Sequence, residues 1–185
     1  MKRILPILAI VLIMLAPVCA QSVTIHGADF EIPSGYEHGT ARDSSYVYES
    51  GFTFRILGLE DKNNLRINYG DDITNGKSHE QTSIAGHDAI VIHDDYKGKQ
   101  YTSIYLPIGD EIFLICYNDT YVRNDIAEMI SKAPAQTMSS EDFLTSLNDA
   151  VDAYQEQVSN EQAELDAEAY QRATRPTNRY YFFWF

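Results

Sequence analysis

The clearest pattern of apolar and polar positions lies between residues 88 and 117 and predicts three strands in a meander. Residues 89–94 alternate with a period of two, which places successive side chains on opposite faces of a sheet. Residues 101–106 alternate in the same way, and Pro107 is expected to end that strand because proline cannot donate to a sheet ladder. Residues 112–117 are apolar throughout, as is typical of a strand covered on both faces. The sheet is therefore expected to carry a layer on each face.

Shorter apolar patterns before this meander predict further strands joined by turns. The polar residues 60–64 separate the last of these strands from the others. Residues 70–83 are polar and show no helical apolar face, so we expect mainly loop there. The predicted strands are residues 23–26, 29–32, 46–49, 52–57 and 65–69.

The residues after the meander predict two helices. Apolar residues recur at every fourth position between residues 120 and 132, which indicates the first helix. Asp125 and Glu128, three residues apart, predict a capping box near its start. The recurring apolar residues are Val122, Ile126 and Ile130.

The second helix is longer and acidic, and Ser139 or Ser140 is expected to begin it because a serine side chain caps a first turn well. Its apolar residues follow alternating steps of three and four. Such a seam predicts either a coiled-coil dimer or one amphipathic helix lying on its own sheet. We favour the second, and hence a monomer, because longer seams are typical of coiled coils. The seam residues are Leu144, Leu147, Val151, Tyr154, Val158 and Leu165.

The run FEIPSGY at residues 30–36 resembles the F-x-I-P-x-G-aromatic opening of secreted domains with the PsbP-like fold. The order of predicted elements over much of residues 23–133 is also similar to that family. The resemblance implies one twisted, mostly antiparallel sheet with helices packed on its faces. It also implies an accessory or binding role without shared catalytic residues. We therefore expect an α+β fold, a meander sheet with helices on its faces, plus a C-terminal amphipathic helix.

The N-terminal residues have the parts of a secretory signal peptide: Lys2 and Arg3, an apolar run over residues 4–17, and small residues before a cleavage site after Ala20. The alternatives are an uncleaved anchor and a lipoprotein modified at Cys19. We expect a secreted or cell-surface, extracytoplasmic protein. Its predicted parts are a signal peptide at residues 1–20, an α+β sheet domain at 21–133, an acidic helix at 134–172 and a basic-aromatic tail at 173–185.

The net charge of −13 over 185 residues makes nucleic acid an unexpected partner, because a negative surface repels the phosphate backbone. Removal of residues 1–20 would make the remaining chain still more negative. It would also leave Cys116 as the remaining cysteine, which we expect to be an inert core residue because it lies in an apolar strand. Asn118 begins a glycosylation sequon.

The sequence contains near misses of catalytic and metal-binding motifs. His79 begins the zinc-protease pattern, but Ser83 stands where the second histidine is required. His87 and His93 are about 20 Å apart along an extended strand, so they cannot share an ion by themselves. We expect no catalytic residue, no metal site and no cofactor. The alternative from another functional class is a hydrolase with a scattered acid and base, such as His93, Asp94 and Glu111.

Aromatic residues are the candidates for ligand binding. Tyr101 and Tyr105 share one face of a strand, where a tyrosine row forms a sugar- or peptide-binding platform or belongs to the core with satisfied hydroxyls. The tail ends in six consecutive aromatic residues, and it can pack on its own domain, dock on a partner protein or contact a membrane interface through nearby arginines. The predicted ligand-binding residues are Tyr101, Tyr105, Tyr180, Tyr181, Trp184 and Phe185.

These features together predict a non-catalytic accessory or binding domain that acts at the cell exterior. The expected partner is an envelope or cell-surface protein, with peripheral membrane contact through the tail as a second mode of attachment. A purely structural surface protein is the remaining alternative. A deep cleft with convergent ionisable groups would favour the hydrolase over the binding domain.

Overall fold

Nine strands form a large sheet and a separate hairpin in the computed structural model, which describes residues 21–49, 53–96 and 98–174. The hairpin pairs the first two strands, and the other seven form an antiparallel sheet. The strands are β1 (Gln21–Ile25), β2 (Ala28–Ile32), β3 (Thr40–Arg42), β4 (Ser45–Tyr48), β5 (Phe54–Gly58), β6 (His79–Ile84), β7 (His87–Tyr96), β8 (Lys99–Ile108) and β9 (Glu111–Tyr117).

The large sheet has the order β3-β4-β5-β9-β8-β7-β6. The last three strands in sequence, β7, β8 and β9, form the expected meander, and their side chains alternate between the two faces as predicted. β9 lies between β5 and β8, at the centre of the sheet. This position explains why β9 is apolar throughout: both of its faces are covered.

Five helical elements in the described part of the chain pack around the sheet. The first three follow one another without a break, and we refer to residues 62–74 as the 62–74 segment. The elements are α1 (Lys62–Leu65), a π-helix (Arg66–Gly70), α2 (Asp71–Thr74), α3 (Asn124–Lys132) and α4 (Ser140–Thr174).

The β1–β2 hairpin and α3 cover one face of the sheet. Phe30 of β2 packs edge-on against Phe113 of β9, with ring centroids 5.4 Å apart. Tyr36, in the connection after β2, stacks on Phe54 of β5 at 4.5 Å. The buried residues that α3 adds to this layer are Ile126, Met129 and Ile130.

The 62–74 segment and the first half of α4 cover the other face. Tyr69 packs edge-on against Tyr105 of β8, with ring centroids 5.0 Å apart. Phe143 and Leu147 of α4 are each 1% exposed. The fold is therefore α+β, with helices on the faces of a mostly antiparallel sheet and a long C-terminal helix, as the sequence predicts.

Two predictions for residues 65–83 are wrong. The expected strand at residues 65–69 is helical, and the expected loop at residues 70–83 contains α2 and β6. The physical reason is a period of four that continues across Gly70. Leu65, Tyr69 and Ile73 all contact the core on the sheet face that α4 covers, which we call the second-face core. Helical packing against α4 and the sheet outweighs the β-branched and aromatic preference of this run.

Two element boundaries also differ from the prediction. Pro107 lies inside β8, because it pairs with Ile112 of β9 beyond the last β7–β8 pair, where no amide hydrogen is needed. α3 begins at Asn124, and the Asp125 carboxylate accepts from the neighbouring Ile126 amide instead of forming a capping box. Ser139 does cap α4, since its hydroxyl accepts from the Asp142 amide at 3.0 Å.

The far half of α4 has no contact with the sheet. Leu144, Leu147 and Val151 pack on the second-face core, whereas Val158 and Leu165 are 43% and 61% exposed. The amphipathic interpretation therefore applies to the first half of the helix. Among the described residues, no helix is long and apolar enough to span a membrane. The predicted signal peptide at 1–20 and tail residues 175–185 lie outside the described residues.

Candidate functional site

A pocket of about 330 Å³ lies between α4, α1 and the turn that joins β8 to β9. We call it the helix–sheet pocket. Its volume is at the lower end of the range for small-molecule sites, so it fits a small ligand or one or two side chains of a peptide. Its apolar lining residues are Leu59, Leu65, Ile112, Met138, Ala150 and Ala153.

Backbone hydrogen bonds hold the walls of this pocket together. The carbonyl of Gly109, in the β8–β9 turn, accepts from the amides of Thr137 and Met138 at 2.7 and 3.0 Å. The Leu59 amide donates to the Ile112 carbonyl at 2.8 Å, which continues the β5–β9 ladder past the end of β5. The start of α4 is thereby tied to the end of the sheet, and the pocket forms where the two meet.

The polar residues around the pocket are mainly acidic. Four carboxylate side chains stand against one ammonium among the described lining residues. Three of these carboxylates are exposed and one is half-buried, so they attract a cationic group with a strength that added salt reduces. The acidic residues are Glu60, Asp110, Glu111 and Asp149, and the positively charged residue is Lys62.

His26 lies next to two of these carboxylates, Glu60 and Glu111, at the edge of the pocket. It is the first residue of the β1–β2 turn, and both turn residues have positive φ, 49° for His26 and 78° for Gly27. Its Nδ1 lies 3.0 Å from Oε2 of Glu60 and 3.5 Å from Oε2 of Glu111. Three separate parts of the chain thus bring an imidazole and two carboxylates together at the edge of the pocket.

The backbone makes room for the His26 ring. A side-chain carbon at Gly58 would lie 2.6 Å from Cδ2 of His26, so the ring occupies space that only a glycine leaves free. The His26 amide donates to the Asp43 carbonyl at 3.0 Å, which fixes the hairpin turn against the β3–β4 turn. The position of the imidazole is therefore set by backbone contacts on both sides.

Sequence reasoning did not find this cluster. His26, Glu60 and Glu111 belong to no linear motif, and the sequence offers Glu111 only as part of a scattered hydrolase site. The available signals were a histidine in a tight turn and a glycine at the end of a strand, and neither identifies its spatial neighbours.

Tyr101 and Tyr105 line a different, polar cavity of about 160 Å³ on the second face of the sheet. Tyr105 is 1% exposed, and its hydroxyl donates to Asp72 at 2.8 Å. The Tyr101 hydroxyl donates to Asp94 at 2.8 Å. Both hydroxyls are satisfied inside the domain; Tyr105 belongs to the core, whereas Tyr101 is partly buried at its edge. Tyr180, Tyr181, Trp184 and Phe185 lie outside the described residues.

Lys77 joins these tyrosines into one charged network. Its ammonium lies 2.7 Å from Asp72 and 2.6 Å from Asp94. Burial raises the pKa of Tyr101 to about 12, and the hydrogen bond to Asp94 adds to this effect. Burial by itself would raise the pKa of Asp94, but the hydrogen bonds from Lys77 and Tyr101 hold it below the ordinary value. In this network Lys77 is shared by two carboxylates, and each of these carboxylates also accepts from a tyrosine hydroxyl.

The scattered hydrolase residues do not converge. His93 and Asp94 are consecutive on β7 and point to opposite faces; His93 contacts Thr102, and Asp94 contacts Lys77. Glu111 lies six residues from Tyr117, the β9 residue that pairs with Thr102, so it is about 20 Å away along the strand. An acid and a base so far apart cannot act on one bond.

The other candidates for chemistry are structural. His87 is buried, and its Nδ1 lies 2.8 Å from the Pro107 carbonyl. Cys116 is buried, and burial raises the pKa of its thiol, which keeps it protonated and unreactive. The expectation that Cys116 is a core residue is confirmed.

Comparison with known proteins gives no family. No protein-family model matches the chain, and no curated protein matches it. Among solved structures, the chain is similar to a Bacteroides thetaiotaomicron VPI-5482 protein whose crystal structure was determined at 1.50 Å resolution. The similarity has 14% sequence identity and a TM-score of 0.37, and it covers 60% of this chain and 45% of that one. A likeness of this size carries no argument about function.

Proposed function

We propose that the protein is a non-catalytic binding domain that acts outside the cytoplasm and binds, in the helix–sheet pocket, a ligand with an apolar body and a cationic group. The observation that supports this proposal is the combination of an apolar lining with four carboxylates against one lysine. The volume of about 330 Å³ favours a basic side chain and its apolar neighbour over a large cofactor. The ligand is then a basic segment of an envelope or cell-surface protein.

The proposed location rests on the N-terminal pattern of residues 1–20. The aromatic tail supplies a second, peripheral contact with a membrane or an envelope component, because aromatic residues beside arginines suit an anionic interface. His93, Asp94 and Glu111 do not converge. The imidazole and carboxylates that do converge, His26, Glu60 and Glu111, lie at the edge of a pocket of about 330 Å³ and not in a deep cleft, which favours binding over hydrolysis. The protein acts as a monomer in this proposal.

The experiment measures binding of fluorescent peptides to the exported protein by anisotropy. One peptide carries Lys or Arg next to Leu, and a matched peptide carries Glu in place of the basic residue. We expect the basic peptide to bind and the acidic one to bind about tenfold more weakly or not at all. Added salt should weaken the binding of the basic peptide, since the charges at the rim of the pocket are partly exposed.

A pair of substitutions locates the binding site. Ala153 is exposed and lines the pocket, so Ala153→Phe fills the pocket without disturbing the core. Ala163 is exposed on the same helix, ten residues further along and outside the pocket, so Ala163→Phe is the matched control. We expect about tenfold weaker binding for the first variant and no change for the second. Equal binding of basic and acidic peptides, or equal effects of both variants, would refute the proposal.

A further inference from the structure

We infer that His26, Glu60 and Glu111 form a binding site for a divalent transition-metal ion, with Zn²⁺ as the ion that best suits these ligands. The inference goes beyond the proposed function, since it assigns an inorganic ligand to side chains at the edge of the pocket. The cluster consists of one imidazole nitrogen and two carboxylate oxygens that lie within 4.8 Å of one another.

The distances agree with shared coordination. Zinc binds histidine nitrogen and carboxylate oxygen at about 2.0–2.2 Å, so two donors at tetrahedral corners are about 3.3–3.5 Å apart. Nδ1 of His26 lies 3.0 Å from Oε2 of Glu60 and 3.5 Å from Oε2 of Glu111. The three donor atoms lie within 4.8 Å of one another, so side-chain shifts of up to about 1 Å bring all of them to tetrahedral separations.

A hydrogen bond from His26 does not account for the whole cluster. A single N–H at Nδ1 donates well to one carboxylate, and Glu60 is the nearer at 3.0 Å. Oε2 of Glu111 is buried and has no hydrogen-bond partner among the described residues. A buried carboxylate oxygen without a partner destabilises the folded state. A cation between Glu111 and Glu60 would supply a partner to both carboxylates.

The ligand types select the ion. Imidazole favours zinc and other first-row transition ions, whereas Mg²⁺ and Ca²⁺ prefer sites made of oxygen ligands alone. Three protein ligands leave at least one coordination position for water or for a group of another molecule. Glu60 and Glu111 also line the helix–sheet pocket, so the proposed metal site adjoins it.

The surroundings of His26 hold the imidazole in a fixed orientation. The ring lies against Gly58, where even a methyl group would come within 2.6 Å, and the turn is anchored to Asp43. Preorganisation of this kind favours metal binding because few side-chain rotamers must be lost when the ion arrives. Gly58→Ala therefore tests the position of the ring without removing a ligand.

The test titrates metal-free exported protein with ZnCl₂ by calorimetry and with CoCl₂ by visible absorption, which reports tetrahedral coordination. We expect one Zn²⁺ per chain. The affinity for Zn²⁺ should fall about tenfold or more in each of the variants His26→Gln, Glu60→Gln and Glu111→Gln. It should also fall in Gly58→Ala. The control is the double variant His79→Gln with Glu80→Gln, an exposed His–Glu pair on β6, which should bind zinc normally. Circular dichroism confirms that each variant is folded.

Three results would overturn the inference: no zinc bound at stoichiometric concentration, zinc binding that the three ligand variants leave unchanged, or equal loss in the control variant. Binding of Ca²⁺ or Mg²⁺ as strong as that of Zn²⁺ would also contradict it, since the imidazole would then contribute nothing. Failure here is distinguishable from failure of the proposed function, because Ala153→Phe blocks the pocket and removes no metal ligand.

Discussion

Gly70→Ala tests how closely the 62–74 segment packs on α4. Gly70 ends the π-helix with helical dihedral angles, φ −59° and ψ −42°, so alanine faces no backbone strain there. In an exposed helix this substitution would stabilise the protein by about 1 kcal/mol. Here the new carbon would lie 2.6 Å from the Ala150 carbonyl oxygen and 2.7 Å from Cβ of Tyr154. The α4 backbone must therefore move.

The expected magnitude follows from these two opposing effects. Overpacking of a close contact costs about 1–3 kcal/mol, which exceeds the propensity gain of about 1 kcal/mol. We expect a net loss of about 1 kcal/mol and a fall in melting temperature of about 2–4 °C for a chain of this size. Because Ala150 lines the helix–sheet pocket, the basic peptide should also bind more weakly.

Urea denaturation followed by circular dichroism measures the free energy of unfolding, and calorimetry measures the melting temperature. Ile67→Ala is the matched control, because Ile67 belongs to the same π-helix and is 55% exposed. Its free energy of unfolding should change by less than about 0.5 kcal/mol. Greater stability of Gly70→Ala than of the unsubstituted protein would refute the close packing of these two elements.

Two further predictions concern the start of α4 and the tail. The Asp88 carboxylate accepts from Ser140 at 2.6 Å and Gln136 at 2.8 Å, and these bonds lower its pKa. Its contribution to stability is present above the unfolded-state pKa and lost as pH falls through the lower folded-state pKa, so Asp88→Asn should flatten that part of the acid denaturation curve. Deletion of residues 180–185 should leave thermal stability unchanged but abolish association with anionic vesicles; a markedly lower melting temperature would place the tail in the core.

The parts of the fold that the sequence predicts correctly are governed by local periodicity. The meander of β7–β9 follows from alternation and from the apolar run at residues 112–117, which needs cover on both faces. The start of α4 follows from Ser139 and the acidic first turn. In these places, a short window of sequence contains the whole physical cause.

The remaining features depend on distant parts of the chain. Leu65, Tyr69 and Ile73 share a helical face, but a glycine beside them disfavours a helix on sequence grounds, and the reason for Gly70 lies at Ala150 on α4. The cluster of His26, Glu60 and Glu111 exists because a hairpin turn docks at the end of β5, beside the β8–β9 turn. No window of sequence contains that contact, so residue spacing alone could not predict it.

The central claim is that the helix–sheet pocket binds a cationic ligand. The most direct measurement is a set of amide chemical shifts from the ¹⁵N-labelled protein, recorded with and without the basic peptide. We expect the largest chemical-shift changes at residues of the pocket, represented by Leu59, Ile112 and Ala150. These changes should be absent in the Ala153→Phe variant. Changes centred instead on Tyr101 and its neighbours, or no changes at saturating peptide, would contradict it.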